Sequence, residues 1–153
     1  PTQVVYRTVV EHGKSMGVSQ LHLQKAEQVA ATGTESLVVA HRNGVKMAFG
    51  TDLFRAPKQY QSNEFLIRAE VLEPAEVLRQ ATVNSAELLR MDGKLGRIAE
   101  GYIADMIVVN GNPVEDLKLL TDQGKHMPII MKNGKAYKDE LGLDAPPKKS
   151  ATN

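Results

Sequence analysis

Hydrophobic positions spaced three and four residues apart predict that the first two thirds of the chain is mainly helical. Predicted helices cover residues 2–12, 19–33, 35–42, 63–71, 74–81 and 86–90. Ser19, Thr34 and Ser85 are predicted N-caps, and Gly33 is expected to separate the second helix from the third. Pro74 suits the first position of its helix, where its missing N–H costs no hydrogen bond.

One short apolar segment interrupts this pattern. Residues Val45–Phe49 predict a buried strand, because the segment is too apolar for a sheet edge and lies between helices, as in a parallel β/α sheet. A parallel strand needs parallel neighbours, and the sequence offers no convincing second strand before residue 93. Either another polypeptide completes the sheet or the chain is a fragment of a larger fold.

The character of the sequence changes after Gly93. Strands are predicted over 104–109, 129–132 and 135–137, and Asn133-Gly134 between the last two is a strong hairpin signal. We therefore predict a helical segment over 1–92 and a β segment over 93–140. Residues 141–153, which contain Pro146-Pro147-Lys148-Lys149, are expected to form a disordered tail.

Composition and charge narrow the possible functions. The 153 residues carry a formal net charge of +1, which gives no large field to attract nucleic acid. The absence of cysteine excludes a disulfide scaffold, a thiolate metal site and a cysteine nucleophile. No apolar run approaches the ~20 residues that a membrane span needs, and a cytoplasmic location is the expectation. Because the first residue is Pro and not Met, the sequence is expected to begin inside a longer chain.

Asp52 is the best candidate for chemistry. Counting in twos from Lys46, this carboxylate shares one face of the predicted strand with Gly50. In a β/α barrel that face points inward, and chemistry occurs at the carboxyl ends of the strands. The alternative is that Asp52 caps a turn or the following helix.

Other polar residues are weaker candidates. The four histidines lack the spacing that places two imidazoles on one metal, and no Gly-x-Ser-x-Gly elbow is present. Asn63-Glu64 is predicted to cap its own helix and complement its dipole. Arg55, Lys58 and Tyr60, in the loop after Asp52, either meet a substrate carboxylate or face solvent, and we favour solvent.

Three stretches and a hairpin, in this order and spacing, resemble the C-terminal part of the metal-dependent amidohydrolase superfamily. They are Ala40–Asp52, Pro74–Leu89, Gly93–Val109 and the turn Lys132–Lys135. The resemblance is greatest to the branch that holds imidazolonepropionase-like and Xaa-Pro dipeptidase-like enzymes. It extends from about Lys25 to Tyr137. Tyr102 departs from the lysine that relatives often carry there.

The resemblance implies an α/β fold: the C-terminal fragment of a TIM-like (β/α)8 barrel, with the last strand and its flanking helices, plus strands of a small β-sandwich. It implies hydrolysis of C–N bonds in a small-molecule amide, dipeptide or cyclic amide. Asp52 would be a metal ligand and the proton shuttle for a water activated by one or two divalent ions, commonly zinc. None of this chain's histidines matches the family's other metal ligands.

The chain's expected partners follow from the same resemblance. They are a substrate, the missing N-terminal portion or another copy of the chain, with a homo-oligomer expected and neither nucleic acid nor membrane. Two alternatives stay open: a catalytically silent, self-associating module, and a deaminase of the same superfamily. The 153 residues alone are expected to be inactive, since one Asp cannot hold a zinc ion.

Overall fold

The computed structural model describes residues 2–53 and 57–143. Arg55 and most of the predicted tail, residues 144–153, lie outside these described residues. Within them, five α-helices precede a small three-stranded antiparallel sheet. No helix there combines the length and the apolar character needed to cross a bilayer.

The first two helices pack against each other. Helix α1 spans Val4–His12 and α2 spans Gln20–Arg42. Ser19 caps α2 as predicted, since its hydroxyl accepts the His22 N–H at 3.4 Å. The helix ends at Arg42, also as the sequence predicts.

The predicted break at Gly33 is wrong, and so is the capping role of Thr34, because α2 runs through both residues. Gly33 is buried where α1 begins, and a Cβ on it would lie 1.7 Å from the Gln3 Oε1 atom. The glycine therefore permits close contact between helices and does not end one. Local sequence signals alone do not separate these two uses of glycine.

The remaining helices follow residues 45–50, which form neither helix nor strand. Helix α3 spans Asn63–Ala69, and α4 spans Pro74–Arg79 with Pro74 in its first turn, as predicted. A π-helical turn, Gln80–Asn84, joins α4 directly to α5, Ser85–Leu88. The prediction that Ser85 starts a new helix is wrong, because the chain is already helical when it reaches this residue.

The sheet contains the strands predicted after Gly93. Strands β1 (Met106–Val108), β2 (Ile129–Lys132) and β3 (Lys135–Asp139) pair antiparallel in the order β1-β2-β3. Met106 faces Met131, and Lys132 faces Lys135 across the hairpin. Asn133 and Gly134 both have positive φ, 50° and 76°, the conformation of a two-residue hairpin turn.

The hydrophobic core includes residues from both predicted segments. Its buried members are Leu37, Met47, Leu72, Val77, Leu117 and Leu120. Two of the six lie beyond residue 92, so the helices and the region that follows them share one core. The division of the chain at residues 92 and 93 stays a prediction.

Residues 45–50, which include the predicted strand 45–49, have no strand partner among the described residues. Their backbone still crosses the core: Met47 is buried and Phe49 is half-buried, whereas Val45 is 55% exposed. This outcome agrees with the expectation that the sequence lacks a parallel neighbour. We refer to these six residues as the extended segment.

Candidate active site

Asp52 follows the extended segment and lies at the protein surface. It is exposed, and its φ of 51° places it in the left-handed region. The prediction that side chains alternate by twos as far as Asp52 is therefore wrong at this residue, because alternation requires extended backbone. A non-glycine residue at positive φ carries a local cost of about 1–3 kcal/mol, and such residues concentrate at functional sites.

The capping alternative for Asp52 has no contact to support it. Within residues 2–53 and 57–143, its carboxylate makes no hydrogen bond or ion pair. The next helical turn, Lys58–Tyr60, begins after Pro57 without a side-chain cap. Asp52 therefore presents an exposed carboxylate without a structural partner in this part of the chain.

The residues in front of Asp52 are held from the helix side. The Asn84 Nδ2 atom donates to the Met47 carbonyl at 2.8 Å, and the Arg68 Nη1 atom donates to the Ala48 carbonyl at 3.1 Å. The Phe49 N–H donates to the Ser85 hydroxyl at 3.2 Å. Side chains of α3, of the π-helical turn and of α5 thus replace part of the pairing that a sheet would provide.

A buried ion pair lies behind this arrangement. Glu64 and Arg68 are both 0% exposed, and the Arg68 Nε atom donates to the Glu64 carboxylate at 2.8 Å. The other Glu64 oxygen accepts the backbone N–H groups of Gln3 and Val4 at 2.9 and 2.7 Å. Arg68 also donates to the Gln80 side-chain oxygen.

The prediction that Glu64 caps its own helix is wrong. Its carboxylate instead caps α1, from about 60 residues away along the chain. Negative charge at the positive end of a helix is favourable, and burial strengthens the interaction. Sequence reasoning also missed Arg68, Gln80 and Asn84. The sequence offers one signal, a Glu–Arg pair four residues apart with only apolar residues between them.

A mainly apolar cavity of about 810 Å³ opens next to Thr51. It lies between the helices and the sheet, and its apolar lining includes Phe49, Phe65, Leu78, Leu120, Met127 and Ile130. Asp52 does not line it. The cavity and the candidate carboxylate therefore lie on neighbouring but separate surfaces.

The loop candidates and the histidines do not gather around Asp52 in a metal cluster. Tyr60 is half-buried and stacks on His12, with ring centroids 4.7 Å apart, whereas Lys58 is exposed. In residues 2–53 and 57–143, no three His, Cys, Asp or Glu side chains lie close enough together to hold a metal ion. Since zinc sites take three or four protein ligands, the described residues do not form a complete zinc site around Asp52.

Comparison with known proteins identifies the family. A sequence model described as "Amidohydrolase family" matches residues 1–136, which is most of the chain. This chain belongs to the amidohydrolase family. Proteins of this family generally bind divalent metals, and the resemblance seen in the sequence is confirmed.

Solved structures of amidohydrolases share the fold described above, a set of helices with a small antiparallel sheet. One amidohydrolase is 44% identical with a TM-score of 0.87, covering 92% of this chain and 34% of its own. A prolidase complexed with N-methylphosphonate-L-proline is 41% identical with a TM-score of 0.86, covering 91% and 34%. A Xaa-Pro dipeptidase with bound methionine is 30% identical, with a TM-score of 0.74, over 90% and 34%.

Curated relatives act on different substrates. Ochratoxinase of Aspergillus niger is 27% identical over 139 residues, covering 88% of this chain and 29% of its own length. A 5-methylthioadenosine/S-adenosylhomocysteine deaminase of Syntrophomonas wolfei is 29% identical over 110 residues, covering 65% and 25%. An imidazolonepropionase of Rubrobacter xylanophilus is 34% identical over 65 residues, covering 41% and 15%. The chain thus spans less than a third of these proteins and about a third of the solved structures.

Proposed function

We propose that this chain contributes Asp52 to the active site of a metal-dependent amidohydrolase that cleaves C–N bonds. The observation that carries the proposal is the state of Asp52: an exposed carboxylate without a partner among the described residues, at positive φ, after a firmly held extended segment. The family match supplies the reaction class.

We also infer that the extended segment is the last strand of a (β/α)8 barrel. Three features support this: its apolar sequence, its position between helices and the lack of a strand partner within the described residues. A complete β/α barrel takes about 250 residues, more than this chain has. Its parallel neighbours would come from the part of the family fold that these 153 residues do not include, or from another chain.

The proposed chemical role of Asp52 is proton transfer. As a water oxygen attacks the scissile carbonyl carbon, the Asp52 carboxylate takes the water proton and then delivers it to the leaving nitrogen. General acid–base catalysis of this kind contributes about 10²–10⁴-fold to the rate. A fixed carboxylate at a strand end suits this role because it reaches both the water and the amide nitrogen without rearrangement.

The described residues do not by themselves form the metal site that the family implies. We propose that Asp52 contributes one metal ligand. The other ligands would come from the part of the family fold that these 153 residues do not include, or from another chain. A divalent ion such as zinc would polarise the substrate carbonyl and acidify water when bound.

The substrates to test first are dipeptides and N-acylated derivatives of proline. The support is the prolidase and the Xaa-Pro dipeptidase among the similar structures, at 41% and 30% identity. The second candidate, a deaminase, is supported by the Syntrophomonas wolfei relative at 29% identity. Product analysis separates the two: release of a free amino acid indicates peptide hydrolysis, and release of ammonia indicates deamination.

We expect Asp52→Asn to lower turnover by about 10²-fold or more, because the amide cannot accept the proton. The measurement is kcat for Xaa-Pro hydrolysis by an active assembly of this chain with the other two thirds of the family fold. The matched control is Asp92→Asn, which removes an exposed carboxylate from the turn after α5. Thermal unfolding of both variants should stay close to wild type. Full activity in folded Asp52→Asn would reject the assignment.

A further inference from the structure

Three side chains hold the backbone just before Asp52. Asn84 donates to the carbonyl of Met47, Arg68 donates to the carbonyl of Ala48, and Ser85 accepts the N–H of Phe49. We call Arg68, Asn84 and Ser85 the backbone clamp. The clamp holds residues 47–49 by hydrogen bonds from the helix side, and these three residues pair with no strand among the described residues.

The π-helical turn gives the clamp its geometry. The Gln80 carbonyl accepts both the Phe49 N–H, at 3.2 Å, and the Ser85 hydroxyl, at 2.7 Å. Each residue advances a helix by about 100°, so the extra residue of a π turn changes which side chains face the extended segment. Such turns are rare and are found frequently at functional sites, which makes this one informative.

The clamp is rigid because its charged member is held on several sides. Arg68 is 0% exposed and bonds to Glu64 and Gln80, and its guanidinium carbon lies 5.1 Å from the Phe49 ring centroid. A buried ion pair is often no more stabilising than apolar residues of similar volume. The bond from Arg68 to the Ala48 carbonyl therefore indicates that the arginine serves to position this backbone as well as to stabilise the fold.

We propose that the backbone clamp positions Asp52 for proton transfer. Arg68, Asn84 and Ser85 are positioning residues: they fix residues 47–49, and the chain then reaches Asp52 in its left-handed conformation only three residues later. Misplacing a reacting group by about 1 Å costs up to about 10²-fold in rate. Fixing residues 47–49, from which the chain continues to Asp52, therefore affects the rate directly. This inference rests on the proposed function of Asp52.

The first test needs no activity and uses the 153-residue chain. Asn84→Ala removes the bond to Met47. The matched control is Asn112→Ala, which removes two exposed bonds, one to Glu115 and one from the Val114 N–H. In NMR spectra of Asn84→Ala, we expect the Phe49 amide to exchange about 10-fold faster and the strong intraresidue HN–Hα contact of Asp52, typical of positive φ, to weaken. The control should match wild type.

The second test measures kcat and KM in the active assembly. We expect Asn84→Ala and Arg68→Met to lower kcat by about 10- to 100-fold with KM within about twofold of wild type. If Arg68→Met does not fold, Asn84→Ala decides, because it removes only one uncharged side-chain donor.

An Asn84→Ala chain that keeps its fold, its Asp52 signals and its kcat would overturn the positioning role. A rise in KM alone would overturn it too. Activity in Asp52→Asn would reject the proposed function instead, and the NMR comparison separates that failure from failure of the clamp.

Discussion

Glu64 and Arg68 illustrate how the same residue pair has different meanings at the surface and in the core. A Glu and an Arg four residues apart on a helix usually form an exposed pair that contributes a few tenths of a kcal/mol. Here both side chains are fully buried, and the glutamate also accepts two N–H groups from the start of α1. The pair therefore joins α1, α3 and the extended segment.

We expect Glu64→Gln to destabilise the chain by about 3–5 kcal/mol, because the neutral amide removes one of the two charges of a buried ion pair. The measurement is the free energy of unfolding from urea titration. Glu70→Gln is the matched control: Glu70 pairs with Arg7 at the surface, with Nη2 and Oε2 2.6 Å apart, and hydrogen bonding to Glu70 raises the pKa of Arg7. Exposed pairs contribute about 0–1 kcal/mol, so equal losses in the two variants would contradict the account.

The sequence does not predict the burial of Glu64, for a physical reason. Its acceptor role depends on Gln3 and Val4, which no local spacing connects to α3. Asp52 was accessible to sequence reasoning because it directly follows a conspicuous apolar segment. The family resemblance favours a functional role for Asp52 over the capping role.

At the scale of elements, the sequence predicts well where local chemistry decides. The start of α2 at Ser19, the start of α4 at Pro74 and the Asn133-Gly134 hairpin all follow from local rules. Gly33 and Ser85 are different, because packing against distant residues determines their role. The sequence predicts a helix boundary at Gly33 and at Ser85, whereas the structure has continuous helix at both.

Gly96 gives a test of packing at this scale. Its φ is 84°, and a Cβ would lie 2.9 Å from the Thr82 carbonyl oxygen in the π-helical turn. We expect Gly96→Ala to destabilise the chain by more than the ~1–2 kcal/mol that left-handed backbone costs a non-glycine residue, because the turn must also move. Urea unfolding measures the loss.

Gly93 provides the matched control for Gly96. Its φ is 80°, and nothing lies within 4 Å of an added Cβ. Gly93→Ala therefore reports the backbone cost alone, and the difference between the two variants isolates contact with the π turn. Equal losses in the two variants would show that this contact does not matter.

At the scale of the whole molecule, the extended segment connects the fold to the function. Its apolar residues contribute to a core that reaches Leu117 and Leu120, so the described chain holds the segment without a sheet around it. The chain nevertheless spans only 34% of the amidohydrolase structures that it resembles. Its one candidate carboxylate has no metal cluster around it within the described residues.

The most direct measurement is Xaa-Pro hydrolysis, with bound zinc determined on the same samples, for the chain alone and for its assembly with the other two thirds of the family fold. We predict neither turnover nor stoichiometric zinc for the chain alone, since a zinc site needs three or four protein ligands. We predict both for the assembly. Stoichiometric zinc and full turnover in the 153 residues alone would contradict the claim that Asp52 serves a site completed from outside this chain.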